Sequence, residues 1–393
     1  MNYLIQAYAC SPEKGGEYAV SWGWIRHLAN VIDSGDAIYV LSLTLTEQDL
    51  ETSGLKNVCL LPVEGMEKFS FLNYNALYEV IWQRKAYATV KKANLTIDVL
   101  HICSLSDFRM PGSWHKLKDT YKIFGPVGGG QICPKVLGGY DTGNGKIREW
   151  INAFYKWNPL YRNKIKKFDR IYACNGETKV YMPDSDILPD VPLRDDFRNL
   201  CIQRESDEAP VILCVGRLIN KKGILLLLDV LKTIREDVQY KTLIYGDGEQ
   251  KEIIRARIRE LELQDKVELM GGIPYCDMSK IYTGGVIFVL PSLRESGGSV
   301  LIEAMAHKLP VVALDMSLSH ILSERKCGLF VDIYQTKEEI LQQFASNITQ
   351  LIQHPDLRKT YGENGYRFVN TELNWDEMMR KVYGRWITVE DKY

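Results

Sequence analysis

Two carboxylates, Glu295 and Glu303, flank a Gly-Gly-Ser turn in RESGGSVLIEAMAHKLPVVALD, residues 294–315. A helix that only packs against a sheet needs neither the glycines nor the acids at its start. Carboxylate oxygens accept hydrogen bonds, so a pair of them suits a ligand with several hydroxyl groups. The free backbone N–H groups at a helix start suit a phosphate. The alternative is an ordinary helix with acidic residues placed favourably near its N-terminus.

A basic loop is the second candidate for chemistry. In VGRLINKKG, residues 215–223, an apolar run ends at Gly216, and Arg217, Lys221 and Lys222 precede a glycine that opens the apolar pattern ILLLLDVL. Arginine presents paired planar donors and lysine a point charge, so their position at a helix start predicts a diphosphate cradle. Taken alone, the loop is also typical of a solvated basic turn.

The elements that must position these residues follow an alternating pattern. Short apolar runs predict strands at 3–9, 37–43, 58–63, 98–103, 121–127, 170–174, 211–216, 240–246, 266–271, 286–291, 309–315 and 328–333. Amphipathic patterns predict helices at 17–32, 73–92, 147–167, 223–236, 249–263, 299–308 and 337–353. Strands that recur with helices between them indicate crossover connections and parallel sheets.

The pattern occurs twice and predicts an α/β protein of two Rossmann-like, doubly wound parallel-sheet domains. A stretch rich in Pro and charge, 183–210, marks the crossing between them. We expect a first domain over 1–190, completed by a C-terminal helix at about 374–393, and a second domain over 191–373. Ligands of such sheets bind at the carboxyl ends of the strands, so we expect substrates in a cleft between the domains.

Composition excludes several classes of protein. The 393 residues are 46% hydrophobic and 25% charged with a net charge of -1, which is typical of a soluble globular protein and predicts no nucleic-acid partner. Nine cysteines without a CxxC pair predict reduced thiols, no zinc site and a cytoplasmic location. The start of the sequence does not resemble a signal peptide. No window of 18 apolar residues occurs, so no membrane-spanning helix is predicted.

Taken jointly, the motifs resemble a known family. Gly216-Arg217, Lys222-Gly223, GDGE at 246–249, and Glu295 and Glu303 followed by AMA resemble the retaining glycosyltransferases of family 4. The first half is similar, more loosely, to the capsule and exopolysaccharide branch through SPEKGGEYAVSWGWIRHLA and FGPVGGGQICP. LNWDEMMRKVYGRW resembles the family's final helix, which packs back on the first domain. The resemblance implies the GT-B fold and a nucleotide-sugar donor.

The resemblance also implies roles for individual residues. Arg217 and Lys222 would neutralise the donor diphosphate as it leaves, and Glu295 would bind hydroxyls of the transferred sugar. Further donor-binding residues would be Glu303 on the nucleotide ribose, Gly16 from the first domain, Ile273 through backbone contacts to the base, and the amides around Gly297, Gly298, Ser299 and Val300. The family needs no metal, and we expect no metal site in this chain. The donor is a substrate, so no cofactor is expected.

One position departs from the family. Many relatives have a second histidine where DVLHIC places Cys103, while His101 is retained. Alternation along the strand predicts both on one face and Ile102 on the other. His101 either assists the acceptor hydroxyl as a catalytic residue or is a core histidine with its hydrogen bonds satisfied.

The segment REWINAFYKWNPLYRNKIKKF, residues 148–168, is basic and aromatic. Such a helix either lies on the anionic inner leaflet near a lipid-linked acceptor, or packs its aromatic residues inward beneath solvated lysines.

These observations predict a metal-independent retaining glycosyltransferase (EC 2.4) that moves a sugar from a nucleotide-diphosphate donor to a glycan or lipid-linked hydroxyl. Bacterial surface polysaccharide synthesis is the setting that the resemblance implies, with the enzyme cytoplasmic and in peripheral contact with the membrane. Two alternatives remain: a non-catalytic partner subunit of a glycosyltransferase complex, which Cys103 permits, and a nucleotide-sugar epimerase or a phosphorylase on the same fold.

Overall fold

The computed structural model describes residues 1–72, 76–141, 145–202, 209–234 and 236–387. This part of the chain divides into two compact units, each built on its own parallel β-sheet. The predicted starts and ends of elements at 73–75, 235 and 388–393, and positions 203–208 of the predicted crossing, lie outside the described residues.

The first unit has seven strands in the order β3-β2-β1-β4-β5-β6-β7. They are β1 Asn2–Gln6, β2 Ala37–Leu41, β3 Val58–Leu60, β4 Val99–Ile102, β5 Tyr121–Val127, β6 Arg170–Ala173 and β7 Asp186–Ile187. The helices up to this point are α1 Glu17–Val31, α2 Glu47–Ser53, α3 Ala76–Ala93, α4 Gly145–Trp157, α5 Pro159–Ile165 and α6 Gly176–Lys179. The first six strands have the order of a dinucleotide-binding Rossmann sheet.

The second unit has six strands in the order β10-β9-β8-β11-β12-β13, which repeats the same topology. They are β8 Val211–Val215, β9 Lys241–Tyr245, β10 Val267–Gly271, β11 Ile287–Leu290, β12 Val311–Leu314 and β13 Gly328–Val331. The helices are α7 Ile224–Thr233, α8 Lys251–Glu260, α9 Met278–Thr283, α10 Ser299–Ala306, α11 Ser319–Glu324, α12 Lys337–Gln353 and α13 Pro355–Thr371. All strand pairs in both sheets are parallel, which confirms the predicted fold class.

The central strands of both sheets are buried on both faces. Every residue of β4, β11 and β12 is buried, because helices cover the two sides of each parallel sheet. The helix α7 is apolar almost all round and contributes six fully or nearly buried side chains to the core of the second unit. These two cores fix the strand ends from which the polar loops extend.

The predicted helix over 147–167 is two helices. The break falls at Asn158, whose side chain accepts from the backbone N–H groups of Leu160 and Tyr161. Pro159 then occupies the first position of α5, where its missing N–H costs no hydrogen bond. The Asn-Pro pair therefore ends one helix and begins the next.

The last helix, α14 Trp375–Tyr383, belongs to the first unit. Trp375 is buried against α1, where a side chain on Gly23 would overlap its ring at 1.9 Å. The Trp375 ring also meets the Trp24 ring edge-on at 5.4 Å and stacks on the His27 ring at 4.8 Å. The chain therefore returns to the first unit to cover α1.

One stretch differs from the predicted domain limits. Residues Gln131–Glu149 lie in the second unit rather than the first. The reason is packing: Leu137 is fully buried in the core that contains α7, and the Tyr140 hydroxyl donates to Asp229 Oδ2 at 2.5 Å. Asp141, nearly buried, pairs with Arg294 at 2.8 Å. The segment is an apolar and charged attachment to the second unit, which the strand pattern alone could not show.

Replacing Tyr140 with phenylalanine should lower the free energy of unfolding by about 1.5 kcal/mol, because a hydrogen bond to a charged acceptor is lost while the ring remains. Asp229 keeps its contact with Arg257, so a larger loss is not expected. Urea denaturation followed by circular dichroism measures the change. Tyr334→Phe, at a side chain that is 91% exposed, is the control, and an equal effect in both variants would contradict the role of this bond.

Candidate functional site

The basic loop and the acidic stretch meet at adjacent strand ends. After β8 the chain turns at Gly216, forms a short 3-10 turn over Asn220–Lys222, and enters α7 through Gly223, whose φ is 67°. A Cβ on Gly223 would lie 2.0 Å from the carbonyl oxygen of Pro291, just after β11. This close backbone approach requires glycine and brings the loop against the segment that carries Glu295.

The contact joins two of the predicted residues. Lys222 Nζ donates to Glu295 Oε2, and the Ser292 hydroxyl donates to the same oxygen at 3.1 Å. The two charged side chains are only 15% and 14% exposed, so their attraction is screened less than that of a surface pair. The amide of Leu293 donates to the carbonyl of Lys221 at 2.8 Å, which holds the two segments in register.

Positive charge exceeds negative charge around this pair. Burial lowers the pKa of Lys221, and the nearby charges of Lys222, Arg217 and Arg294 lower it further, while Glu295 acts in the opposite direction. We define these four basic residues as the cationic cluster. The formal net charge of the whole chain is only -1, so this excess of positive charge is local. A multiply charged anion is the ligand that such a cluster suits.

The GDGE turn lies directly behind the cationic cluster. A Cβ on Gly246 would lie 1.9 Å from the carbonyl oxygen of Gly216, and the amide of Leu218 donates to the carbonyl of Asp247 at 2.9 Å. The Gln250 amide donates to the Asn220 side chain. The turn supports the conformation of the basic loop, a role that its sequence alone did not distinguish from an ordinary connection.

The start of α10 completes the polar end of the sheet. Gly298 caps the helix with φ 65° and offers no side chain, so the amides of Ser299 and Val300, both half-buried, begin a helix with a free N-terminus. A Cβ on Gly298 would lie 3.3 Å from Glu295 Cγ. The buried Gly297 and Gly298 therefore place amide donors beside the ion pair of Lys222 and Glu295, where an anion gains from the helix dipole.

Glu303 has a different environment from Glu295. It is 5% exposed, it accepts from the Tyr282 hydroxyl at 2.7 Å, and burial raises its pKa to about 7. Whereas Glu295 lies in the loop before α10, Glu303 is therefore shielded from solvent. Its side chain lies beneath α10 because the fifth residue of that helix faces α9. A role on the ribose stays a prediction.

The buried carboxyl of Glu303 predicts a pH-dependent stability. Its pKa in the folded chain is above the ordinary value of 4.5, so the unfolded chain releases the proton first as pH rises. Relative to Glu303→Gln, the wild type should lose stability between about pH 4.5 and 7, by about 3 kcal/mol in total at about 1.4 kcal/mol per pKa unit. Urea denaturation of both proteins from pH 5 to 8 measures this, and a constant difference would contradict it.

The remaining predicted donor residues lie on two different units. Gly16, in the first unit, caps α1 with φ 66° and has open space where a Cβ would stand. Ile273, in the second unit, follows β10 and packs partly against the core below α10. Both are in loops that follow strands, as the sequence predicted.

His101 lies in the core of the first unit. Its Nδ1 accepts from the Tyr383 hydroxyl at 2.5 Å, and its Nε2 donates to the carbonyl of Gly125 at 2.6 Å. It is 1% exposed, and burial lowers its pKa to about 4. Both ring nitrogens have partners in the core, which favours the alternative of a core histidine with its hydrogen bonds satisfied. The catalytic role of His101 stays a prediction.

Cys103 lies on the same face of the strand as His101, and Ile102 on the other, as alternation predicted. Cys103 Sγ donates to the carbonyl of Gln6 at 3.4 Å, and burial raises the pKa of its thiol. Cys103 therefore fills a core position where many relatives have the second histidine.

Sequence reasoning assigned no role to Arg294 and Asp141. Arg294 immediately precedes Glu295 at the same strand end, which was the available signal. Asp141 is distant in sequence and offered none. Across the described ranges, no group of three or more His, Cys, Asp and Glu side chains is placed to hold a metal. None of the described helices is long and apolar enough to cross a bilayer.

The part of the chain that contains the candidate site is similar to a family of known proteins. Residues 198–368 match the sequence model of a family described as "Glycosyl transferases group 1". Over these residues the chain is similar to that family. It contains the cationic cluster and both predicted carboxylates, so the motifs identified above lie within the group 1 glycosyl transferase region.

Among curated proteins, this chain is 31% identical over 156 residues to the amylovoran biosynthesis glycosyltransferase AmsD of Erwinia amylovora, which covers 40% of this chain and 42% of AmsD. The matches to the curated relatives span less than half of their own length, between 35% and 47% for AmsD and four others. The sequence relationship is thus concentrated in the group 1 glycosyl transferase region.

Solved structures extend the likeness to the whole chain. A sucrose-phosphate synthase from Thermosynechococcus elongatus has a TM-score of 0.71 at 18% identity, covering 98% of both chains. Anabaena HepE, solved in complex with UDP, has a TM-score of 0.65 at 13% identity, covering 98% of this chain and 99% of HepE. At such identities the likeness concerns the fold, and the chain has the GT-B fold of two Rossmann-like domains.

Proposed function

We propose that this protein is a retaining glycosyltransferase that uses a nucleotide-diphosphate sugar as donor and a hydroxyl of a glycan or lipid-linked glycan as acceptor. The observation that carries the proposal is the pair of Lys222 and Glu295, held beside the cationic cluster and the open N-terminus of α10. These groups bring cations and amide donors for a diphosphate next to a carboxylate for sugar hydroxyls.

When a donor binds, Lys222 and Glu295 would contact different parts of it. A diphosphate oxygen can accept from Lys222 in place of Glu295, which leaves the carboxylate of Glu295 to accept from hydroxyl groups of the sugar. The Ser292 hydroxyl already orients that carboxylate. Because a diphosphate oxygen takes the place of Glu295 as acceptor, the positive charge of Lys222 stays next to a negative charge throughout.

The reaction breaks the bond between the sugar anomeric carbon and the diphosphate oxygen and forms a bond to the acceptor oxygen on the same face. The acceptor proton passes to the leaving diphosphate, so no side-chain base is required. Negative charge develops on the leaving group, where Arg217 and Lys222 provide fixed positive charge. Since these cations stabilise the leaving group, we propose a metal-independent reaction, for which unchanged turnover in EDTA is the test.

The biological setting is proposed from the relatives. The name of AmsD places that protein in amylovoran biosynthesis, and a solved neighbour, WaaG, is described as involved in lipopolysaccharide biosynthesis. Both descriptions support bacterial surface polysaccharide synthesis as the setting for this chain. We propose a cytoplasmic location because its nine cysteines form no CxxC pair or disulfide pattern.

A panel of nucleotide sugars tests the proposal. The purified protein is incubated with each donor, and release of the nucleoside diphosphate is measured with and without sugar acceptors. Turnover of one donor, with the anomeric configuration retained in the product by NMR, is the expected result. Binding without turnover would favour the partner-subunit alternative, and a donor converted to its epimer without release of nucleoside diphosphate would favour the epimerase.

A further inference from the structure

The helix pair α4 and α5 presents an apolar surface to solvent. Its side chains, which we define as the apolar face, are exposed by 79%, 39%, 56%, 73% and 74% at Trp150, Ile151, Phe154, Trp157 and Leu160. Those on α4 recur at intervals of three and four residues, so they lie along one side of the helix. The other side is the one that packs, with Asn152 fully buried. An apolar stripe on the solvent side of a helix is typical of an interaction surface.

The aromatic residues of this segment divide into two groups. Tyr161, Ile165 and Phe168 are buried in the core of the first unit, and Tyr155 is half-buried beside it. The tryptophans and Phe154 point away from that core. Inward packing, one of the two alternatives for the segment, therefore holds for Tyr161, Ile165 and Phe168 but not for the tryptophans and Phe154.

A basic pocket adjoins the apolar face. It has a volume of about 870 Å³ and lies between α3, the loop over 109–116, and the α4–α5 pair. Phe154 and Leu160 of the apolar face line its rim. The charged residues that line it are Arg84, Arg109, Lys116, Lys164 and Lys167. No Asp or Glu is found among its described lining residues.

The charges of the pocket are close enough to affect one another. Burial lowers the pKa of His115, and the charges of Lys164, Lys116 and Lys167 lower it further. Arg109 is held by Asp107, with Nε donating to Oδ1 at 2.8 Å, and by Asn152 at 3.3 Å. Lys116, Lys164 and Lys167 line the pocket together with His115, and no carboxylate is among the described lining residues, so the pocket is positive.

We propose that the apolar face and this pocket form one docking surface for an anionic membrane leaflet. The apolar side chains enter the boundary between headgroups and acyl chains, and the pocket takes the phosphate of an anionic phospholipid. An interfacial helix of this kind needs only to lie in the membrane plane. The two tryptophans of the face, Trp150 and Trp157, and the lysines beside it suit the headgroup level.

Charge decides between a membrane and a second copy of the chain. A symmetric dimer through this surface would place two positive pockets near each other, and like charges across an interface are unfavourable. An anionic leaflet attracts each basic residue near its surface. No residue of the docking surface is among those assigned to sugar transfer, so the proposal does not depend on the proposed reaction.

Co-sedimentation of the full-length protein with vesicles tests the proposal. Binding is expected to vesicles that contain phosphatidylglycerol, to weaken at high salt, and to be at least tenfold weaker with phosphatidylcholine alone. Lys164→Gln with Lys167→Gln, and separately Trp150→Ser with Trp157→Ser, should each reduce partitioning by about tenfold or more. The matched controls Lys280→Gln and Tyr334→Ser, at side chains 83% and 91% exposed in the second unit, should bind as the wild type does.

A second readout avoids dependence on disruptive variants. Brominated lipids in the vesicles should quench tryptophan fluorescence of the wild type, and the quenching should fall strongly in Trp150→Phe with Trp157→Phe. Donor binding, measured by thermal shift with the nucleotide sugars, should be unchanged in all these variants.

Three results would overturn the proposal. The first is binding of soluble glycerol 1-phosphate without binding to vesicles, which would assign the pocket to a free phosphate. The second is self-association by light scattering that the serine variants abolish, without vesicle binding. The third is vesicle binding that persists unchanged in both pairs of variants.

Discussion

Turnover of the donor should fall at least tenfold when Lys222 is replaced by alanine, which corresponds to about 1.4 kcal/mol or more in the activation barrier. The variant removes a cation from the place where the leaving diphosphate gains charge. It also leaves the carboxylate of Glu295, only 14% exposed, without its ion-pair partner, so some stability should be lost as well. Initial rates at saturating donor measure the effect.

The pair with Glu295 allows the catalytic and structural effects to be separated. Adding Glu295→Gln to Lys222→Ala removes the unpaired charge, so stability in urea should recover while turnover stays low. Lys280→Ala, at an exposed lysine of the same unit, should leave both quantities unchanged. If the double variant regains turnover together with stability, the lysine serves the fold and the proposed role in catalysis fails.

Replacing Trp375 with alanine should lower the free energy of unfolding by about 3–5 kcal/mol, the range for a buried tryptophan. The indole fills the space above Gly23 and contacts the Trp24 and His27 rings, so its loss leaves a cavity between α1 and α14. Urea denaturation measures the change. Trp157→Ala is the matched control, because that ring is 73% exposed and its loss should change stability by no more than about 0.5 kcal/mol.

A small effect of Trp375→Ala, equal to that of the control, would show that α14 contributes little to the first unit.

The sheets could be predicted from the sequence because parallel strands are buried on both faces. Runs such as VIFVLP and VILCVG are apolar without interruption, and the structure places β11 and β8 within them. The two-residue strand β7 was missed, since Asp186 and Ile187 carry no such pattern and fall in the segment read as a crossing. Uninterrupted apolar runs predict buried central strands, whereas a short edge strand such as β7 has no comparable pattern in the sequence.

At the candidate site, the sequence singled out Lys222, Glu295 and Glu303, but it predicted neither the ion pair between Lys222 and Glu295 nor the burial of Glu303. The first depends on strand ends, which topology places side by side. The second depends on which way one turn of α10 faces, and on a tyrosine, Tyr282, contributed by a different helix. His101 likewise depended on Tyr383, 282 residues away, whose hydroxyl fills its ring nitrogen. Such partners come from tertiary packing and leave no local signal.

The attachment of α14 to α1 has a consequence for the order of folding during translation. The second unit, apart from Gln131–Glu149, is continuous up to Asn374, whereas the first unit lacks the cover over Trp24 until Trp375–Tyr383 have left the ribosome. The domain that is synthesised first is therefore completed last. Until then the nascent chain carries an uncovered indole on α1, the surface that a chaperone would have to shield.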